Sequence, residues 1–222
     1  MNATNHSSEF RPRDIRRRFD HAADRFHEAD FVHGVTREGL LERMRPMTVD
    51  ATTVIDLGSA TGTAIPPLQK RFRGARVIAV DLSAAMLRVV RRKRTLLSRR
   101  HAVQADARSL PLADASIDVV FSNLMLPWID DLDTVFAEVG RVLRKDGLFA
   151  FSSLGPDSLL ELREAWQTVD DGRHVNRFPD MHDVGDALVR AGLRDPVLDV
   201  DQLSVSYRDP GALFRDLTAA GA

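Results

Sequence analysis

The sequence predicts one doubly wound α/β domain, a mostly parallel sheet with helices on both faces. Two observations carry this. Five short β-branched or aromatic runs, at 54–57, 77–80, 101–103, 117–121 and 148–151, alternate with helix-length segments around 64–72, 84–99 and 132–144. Strands spaced in this way need crossover connections, which make neighbours parallel and cover both faces of the sheet. The second is a glycine turn, containing Gly58 and Gly62, set directly after the first run and before the first of those helices. Such a turn brings backbone N–H groups within reach of a ligand at the strand ends.

Composition narrows the classes further. The 222 residues carry 31 basic and 32 acidic side chains, a formal charge of −1. That balance excludes both a strongly basic nucleic-acid module and an acidic solvating chain. Hydrophobic residues make up 44% and charged ones 28%, enough for one folded unit with a sizeable core. Cysteine is absent, so disulfides, thiolate metal sites and cysteine nucleophiles are excluded. The first residues lack the apolar stretch of a secretory signal, and no run is long and apolar enough to span a bilayer. A cytoplasmic protein is expected, with no membrane association.

In chain order, residues 1–12 are polar and aperiodic and read as a disordered tail, leaving 13–222 as the single domain. Ile15, Phe19, Ala22, Ala23, Phe26, Ala29 and Phe31 recur at helical spacing, and Val35, Leu40, Leu41 and Met44 form a second series ending before Pro46. These predict an N-terminal helical lid over 13–46. The alternating strands and helices follow. After Ser153 the rhythm changes, and an insertion over 153–191 is expected on the acceptor side. It contains a helix through Trp166, a polar segment, and a helix to Ala191 stopped by Gly192. Residues 197–207 read as a sixth strand and 210–220 as a last helix, with no seventh strand-like run behind them.

The residues that carry chemistry cluster at strand ends. Asp56 lies at the end of the first strand, two residues before Gly58. Asp81 closes the second, where a carboxylate can accept hydrogen bonds from both hydroxyls of a ribose, and Asp106 closes the third, within reach of an adenine amino group. The spacing Asp56-x-Gly58-x-x-x-Gly62, with Asp81-Leu-Ser-x-x-Met-Leu87 and Gln-Ala-Asp106-Ala107, resembles the class I S-adenosylmethionine-dependent methyltransferases. The resemblance implies a Rossmann-like sheet of that class, here lacking its final antiparallel strand, and S-adenosyl-L-methionine as cofactor. It implies a cofactor site of Asp56, Gly58, Ser59, Ala60, Gly62, Asp81, Leu82, Met86, Asp106, Ala107, Asn123 and Leu124. Ala60 departs from the pattern, standing where the family has a middle glycine. If this residue takes positive φ, its β-carbon costs about 1 kcal/mol.

The acceptor side is more selective. Phe19-Asp-x-Ala-Ala-Asp-x-Phe26, Leu124-Met-Leu-x-Trp128, the run from Ser158 to Asp171, His174-Val-Asn-Arg-Phe178 and the run from Met181 to Leu188 closely resemble the BioC family. Its members are malonyl-[acyl-carrier protein] O-methyltransferases of biotin synthesis. The resemblance implies transfer of a methyl to the free carboxylate of a malonyl thioester on acyl carrier protein or coenzyme A. A carboxylate needs no general base, only alignment and a cation to hold it. Candidates for positioning it are Arg177, then Arg173 and His174, with Trp128 walling the pocket. Where the family commonly has Tyr, Phe26 stands, and it reads as packing between helices. His21, His27 and His182 have no metal-ligand spacing, so no metal is expected.

Two basic runs remain, Arg11 to Arg18 and Arg88 to Arg100. They read as solvated faces or as docking for an acidic carrier protein; nucleic acid is disfavoured because no aromatics interleave. The motifs also resemble the respiratory complex I assembly factor that hydroxylates an arginine, and Ala60 with the missing seventh strand leaves a non-catalytic scaffold as a third reading. An unpaired sheet edge can pair with another chain, so the oligomeric state is open at this level.

Overall fold

The structure is a computed structural model that describes residues 11–93, 100–172 and 174–222. Its centre is a five-stranded, all-parallel sheet of order β3-β2-β1-β4-β5, built from β1 (Thr53–Leu57), β2 (Arg76–Asp81), β3 (Arg100–Gln104), β4 (Ile117–Asn123) and β5 (Leu143–Ser152). The three central strands β1, β2 and β4 are short, largely apolar runs because both their faces are covered. On one face α2 (Phe31–Arg43), α3 (Ile65–Arg71) and α4 (Ala84–Arg92) bury Met44, Leu68, Leu87 and Val90 against Val54, Val77 and Phe121. On the other, α5 (Leu132–Val142) and α7 (Met181–Arg190) bury Phe136, Val139 and Leu188 against Ile55, Val80 and Val120. The strand order reverses between β1 and β4, and at such a switch point the strand ends open a crevice.

The five strands fall on the five predicted runs. The N-terminal series splits differently. Helix α1 (Pro12–Ala22) already begins at Pro12, because proline at a helix's first position gives up an N–H that would have no partner there. Residues 26–28 form a 3₁₀ turn, and the second helix starts at Phe31. Pro12 thus belongs to the helix rather than to the expected tail; residues 1–10 lie outside the described residues, as do 94–99 of the predicted fourth-helix segment. Helices α6 (Leu160–Gln167) and α8 (Pro210–Ala219) fall where expected.

The sixth strand is not formed. Residues 197–207 form no ladder with any of the described residues; Leu198 packs against the core, while Val197 is 87% exposed and Val200 70%. Alternating hydrophobicity marks a strand only when a ladder partner exists, and β5 is left unpaired on its outer edge. The segment is instead clipped to the end of α2, where Arg43 donates to Asp199 at 2.8 Å and to Asp201 at 2.7 Å.

At the opposite end of the sheet from the crevice, Asp118 of β4 fixes the entry to β1. It accepts from the N–H groups of Thr52 and Thr53, each at 2.8 Å, and from Arg144 at 2.6 Å. Burial pushes its carboxyl up, but Arg144, those two N–H groups and the Thr52 hydroxyl together hold it down at about 2. Stabilisation from this depressed group is full above the ordinary aspartate range and is lost as pH falls toward 2. Asp118→Ala strands two N–H donors and a guanidinium, and is expected to cost roughly 2–4 kcal/mol in denaturant unfolding at neutral pH. A loss under about 0.5 kcal/mol, the size of an ordinary surface change, would contradict the assignment.

Candidate active site

The chain leaving β1 turns sharply at the crevice, with Gly58, Ala60 and Gly62 at φ of +75°, +45° and +74°. Gly58 and Ser59 donate to the Val80 carbonyl at 2.9 and 3.1 Å, which docks the turn on the end of β2. A β-carbon on Gly58 would lie 2.5 Å from both Cβ and Cγ of Met125, so the position admits only glycine. Ala60 does take the left-handed conformation, at a cost of about 1 kcal/mol. In that conformation its N–H donates to Asp81 Oδ2 at 2.8 Å.

Asp81 also accepts from the Ser83 N–H at 2.7 Å. Burial raises its carboxyl to about 6, the two N–H groups oppose the rise, and the charge of Asp20 adds to it. Asp56 is 2% exposed and its Oδ2 has no partner. Burial raises this carboxyl to about 7, with Asp81 adding and Arg37 opposing. Buried polar atoms are normally satisfied, so an orphaned carboxylate oxygen marks a place where a donor is missing.

A cavity of about 840 Å³ opens above the turn. Gly58 and Ala60 form its floor, Asp81, Leu82, Asp106 and Ala107 one wall, and Asn123, Leu124, Met125 and Trp128 the other. Ile15, Phe19 and Phe26 roof it. The roof is pinned at Asp20, which accepts from the Ser83 hydroxyl at 2.6 Å and the Ala85 N–H at 3.0 Å, and by the edge of Phe19 against Trp128 at 5.0 Å. Asp106 is held by Arg108 through two side-chain bonds of 3.0 and 2.6 Å, which keep its carboxyl below the usual range.

A recess of about 290 Å³ adjoins the cavity at His33, Gly58, Ala60 and Asn123, and adds Arg37, Asp56, Ser59 and Thr63. Arg37 donates to Thr63 Oγ1 at 2.9 Å. His33 Nδ1 and Ser59 Oγ are buried without partners, like Asp56 Oδ2. Burial holds His33 down at about 4, Asp30 opposing and Arg37 adding, so the ring is neutral at physiological pH. Asn123 fixes the recess wall, donating to the His33 carbonyl at 3.0 Å and accepting from Ser152 at 2.9 Å.

Ten of the twelve residues expected around the cofactor line one of the two spaces. Gly62 and Met86 do not. Gly62 shapes the turn, where a β-carbon would meet Ile65 and Val90 at 2.9 Å. Met86 is fully buried with Ala22, Ala23 and Phe26, beneath the roof. On the acceptor side Trp128 lines the cavity, whereas His174 and Arg177 do not. His174 is spoken for, stacked on Trp166 at 4.0 Å and bonded to Asp170 at 2.9 Å. Arg177 is exposed and makes no ion pair among the described residues; Arg173 lies outside them. Strand-end motifs do not single out His33 and Arg37, which line the recess and whose signal is their i,i+4 spacing on the helix before β1, nor Asp20, the roof latch within the Phe19–Phe26 run. No cluster of metal-binding side chains occurs among the described residues.

Residues 55–151 match the family model described as a methyltransferase domain. Beyond that segment, the malonyl-[acyl-carrier protein] O-methyltransferase of Methylovorus sp. (strain MP688) is 46% identical over 94% of this chain and 72% of its own length. That of Halorhodospira halophila is 45% identical over 94% of this chain and 70% of its own length. The chain belongs to the malonyl-[acyl-carrier protein] O-methyltransferase family. Among solved structures, the methyltransferase bound to the Haloferax volcanii Trm112 activator superposes with a TM-score of 0.66 at 25% identity, covering 80% of this chain and 75% of that one. The all-parallel sheet is accordingly that of the class I methyltransferases, and the cofactor of the family is S-adenosylmethionine. The residues fit it: an apolar cavity ends in a polar recess with a guanidinium and an orphaned carboxylate. Among the described residues no helix is long and apolar enough to cross a membrane.

Proposed function

We propose that this protein transfers the methyl group of S-adenosylmethionine to the free carboxylate of a malonyl thioester carried on acyl carrier protein. The observation that carries the reading is Asp81, set in the cavity wall on the N–H groups of Ala60 and Ser83, in a chain 45% and 46% identical to methyltransferases named for that substrate. When bound, the cofactor would supply a sulfonium-activated methyl carbon, to which a carboxylate oxygen can bond as the carbon–sulfur bond breaks and S-adenosylhomocysteine leaves as a neutral thioether.

The chain's residues bind and align. Asp81 is fitted to accept from both ribose hydroxyls, its remaining lone pairs facing the cavity. Leu82 and Ala107 suit the two faces of a flat adenine, and Asp106 retains acceptor capacity for its amino group beyond the Arg108 pair. In the recess, Arg37 suits the methionyl carboxylate and Asp56 its ammonium, which supplies the donor that Asp56 Oδ2 lacks. His33, neutral, puts no positive charge beside the sulfonium. The aromatic roof of Phe19 and Phe26 keeps water from the methyl carbon. No general base is needed, because the acceptor is already ionised.

The Asp81 and Asp56 carboxyls, raised to about 6 and about 7 by desolvation, make cofactor binding depend on pH. Each must be ionised to accept from a hydroxyl or pair with an ammonium, so binding releases protons. Affinity for S-adenosylhomocysteine is expected to fall as pH drops from about 8 to about 5, by up to tenfold per pH unit for each carboxyl involved. Titration calorimetry in buffers of different ionisation enthalpy reads the released protons; an affinity flat across that range would contradict it.

The acceptor is tested by incubating the protein with S-adenosylmethionine and malonyl-acyl carrier protein and weighing the product. A methyl ester formed one for one with S-adenosylhomocysteine supports the reading. Product heavier by an oxygen favours the hydroxylase alternative, and cofactor binding without any transfer favours a scaffold.

A further inference from the structure

The chain is nearly neutral overall, yet its arginines are not evenly spread. Helix α1 exposes Arg13, Arg16 and Arg17, and α4 exposes Arg88, Arg91 and Arg92. The two helices are held side by side. Asp20 of α1 caps the start of α4 through Ser83 and Ala85, and Arg92 at the end of α4 reaches Asp24, just past α1, at 4.0 Å. Arg13, Arg16 and Arg17 on α1 therefore stand in one ridge beside Arg88 and Arg92 on α4, against Asp14, Asp20 and Asp24, on a molecule of formal charge −1, while Arg91 turns to the Ala102 carbonyl of β3 at 3.1 Å. Ion pairing takes up little of that charge. Arg13 meets Asp14 only at 3.9 Å and Arg16 meets Asp20 at 3.5 Å, while Arg17 and Arg88 make no side-chain bond or ion pair among the described residues.

The place of the ridge matters as much as its charge. Ile15 and Phe19, on the inward face of α1, roof the cavity, so the arginines on its outer face stand one helix diameter, about 10 Å, from the methyl-transfer space. A substrate tethered through a flexible arm to an acidic protein fits this arrangement: the protein body rests on the ridge while the arm carries the thioester around α1 into the cavity. The malonyl group needs the cavity; only its carrier needs the arginines.

We propose that the paired outer faces of α1 and α4 are the docking surface for the acidic carrier protein that presents the thioester. The proposal rests on the malonyl-carrier reading above. Electrostatic docking of this kind speeds encounter and weakens with salt, without contributing to alignment of the reacting atoms.

The test compares a tethered and an untethered acceptor, malonyl-acyl carrier protein and malonyl-pantetheine, on the wild type and on the triple variant Arg13→Glu, Arg17→Glu, Arg88→Glu. None of the three lines the cavity or holds the α1–α4 latch. The expected result is a KM for malonyl-acyl carrier protein raised about tenfold or more in the variant, with an unchanged KM for malonyl-pantetheine and unchanged affinity for S-adenosylhomocysteine. Added salt should raise the wild-type KM toward that of the variant. The matching Gln variant should fall between them. Equal KM values on the carrier-bound acceptor overturn the docking surface. So does a parallel loss on both acceptors, which would mark the arginines as structural, or a loss of affinity for RNA with carrier kinetics intact. A wild type that methylates neither acceptor sinks the function reading itself, a result distinct from all of these.

Discussion

Asp81→Ala should weaken binding of S-adenosylmethionine and S-adenosylhomocysteine by roughly a hundredfold to a thousandfold. In the proposed reading the carboxylate accepts from each ribose hydroxyl, and a hydrogen bond to a charged group contributes about 1.5–3 kcal/mol. Two such bonds, partly offset by water entering the space the side chain leaves, amount to about 3–4 kcal/mol, where 1.4 kcal/mol is tenfold in affinity. A second effect runs the same way. Asp81 also receives the Ala60 and Ser83 N–H groups, so its loss frees the strained turn that forms the cavity floor. Asp81→Asn separates the two: the amide keeps one acceptor and loses the charge, and should retain more affinity than Ala. Titration calorimetry reads both variants. Wild-type affinity in the Ala variant would show that the ribose is held elsewhere.

The other large effect is expected at Gly58→Ala. Its φ of +75° imposes strain of about 1–2 kcal/mol on any side chain, and the new β-carbon would overlap Met125 Cβ and Cγ at 2.5 Å. Met125 cannot swing clear, because its Cβ is fixed by the backbone, so the segment carrying Leu124 and Trp128 must move. Overpacking of this kind costs about 1–3 kcal/mol, giving a total of roughly 2–5 kcal/mol of stability and a collapsed cavity wall. Gly74→Ala is the control. It has φ of +86° but open space around its added carbon, so only backbone strain applies. If both variants unfold at the same denaturant concentration, crowding against Met125 is not what keeps Gly58 a glycine.

The sheet and the lining of the crevice are legible because they depend on local pattern. A strand followed by Gly58 and closed by Asp56 has few other uses, and acids at the ends of β2 and β3 fall at the crevice whenever the sheet is parallel. Even the positive φ of Ala60 could be anticipated from where the family keeps glycine. What failed depended on partners. The run 197–207 alternates like a strand but has no neighbouring ladder, so its valines face water. His33 and Arg37 look like ordinary residues of an amphipathic helix until α2 is laid over the turn, where Arg37 donates to Thr63 and His33 lines the same recess as Asp56. His174 is expected from the pattern as a substrate contact, but Trp166 and Asp170, eight and four residues before it, occupy the ring. Nothing in spacing alone tells a histidine free to bind from one already bound.

The most direct test is a crystal structure of the protein with S-adenosylhomocysteine. Both ribose hydroxyls should lie within hydrogen-bond distance of Asp81, with adenine beside Leu82 and Ala107 and the amino-acid end in the recess between Arg37 and Asp56. A ligand whose ribose sits away from Asp81, or a crevice left empty at saturating ligand, would contradict the account.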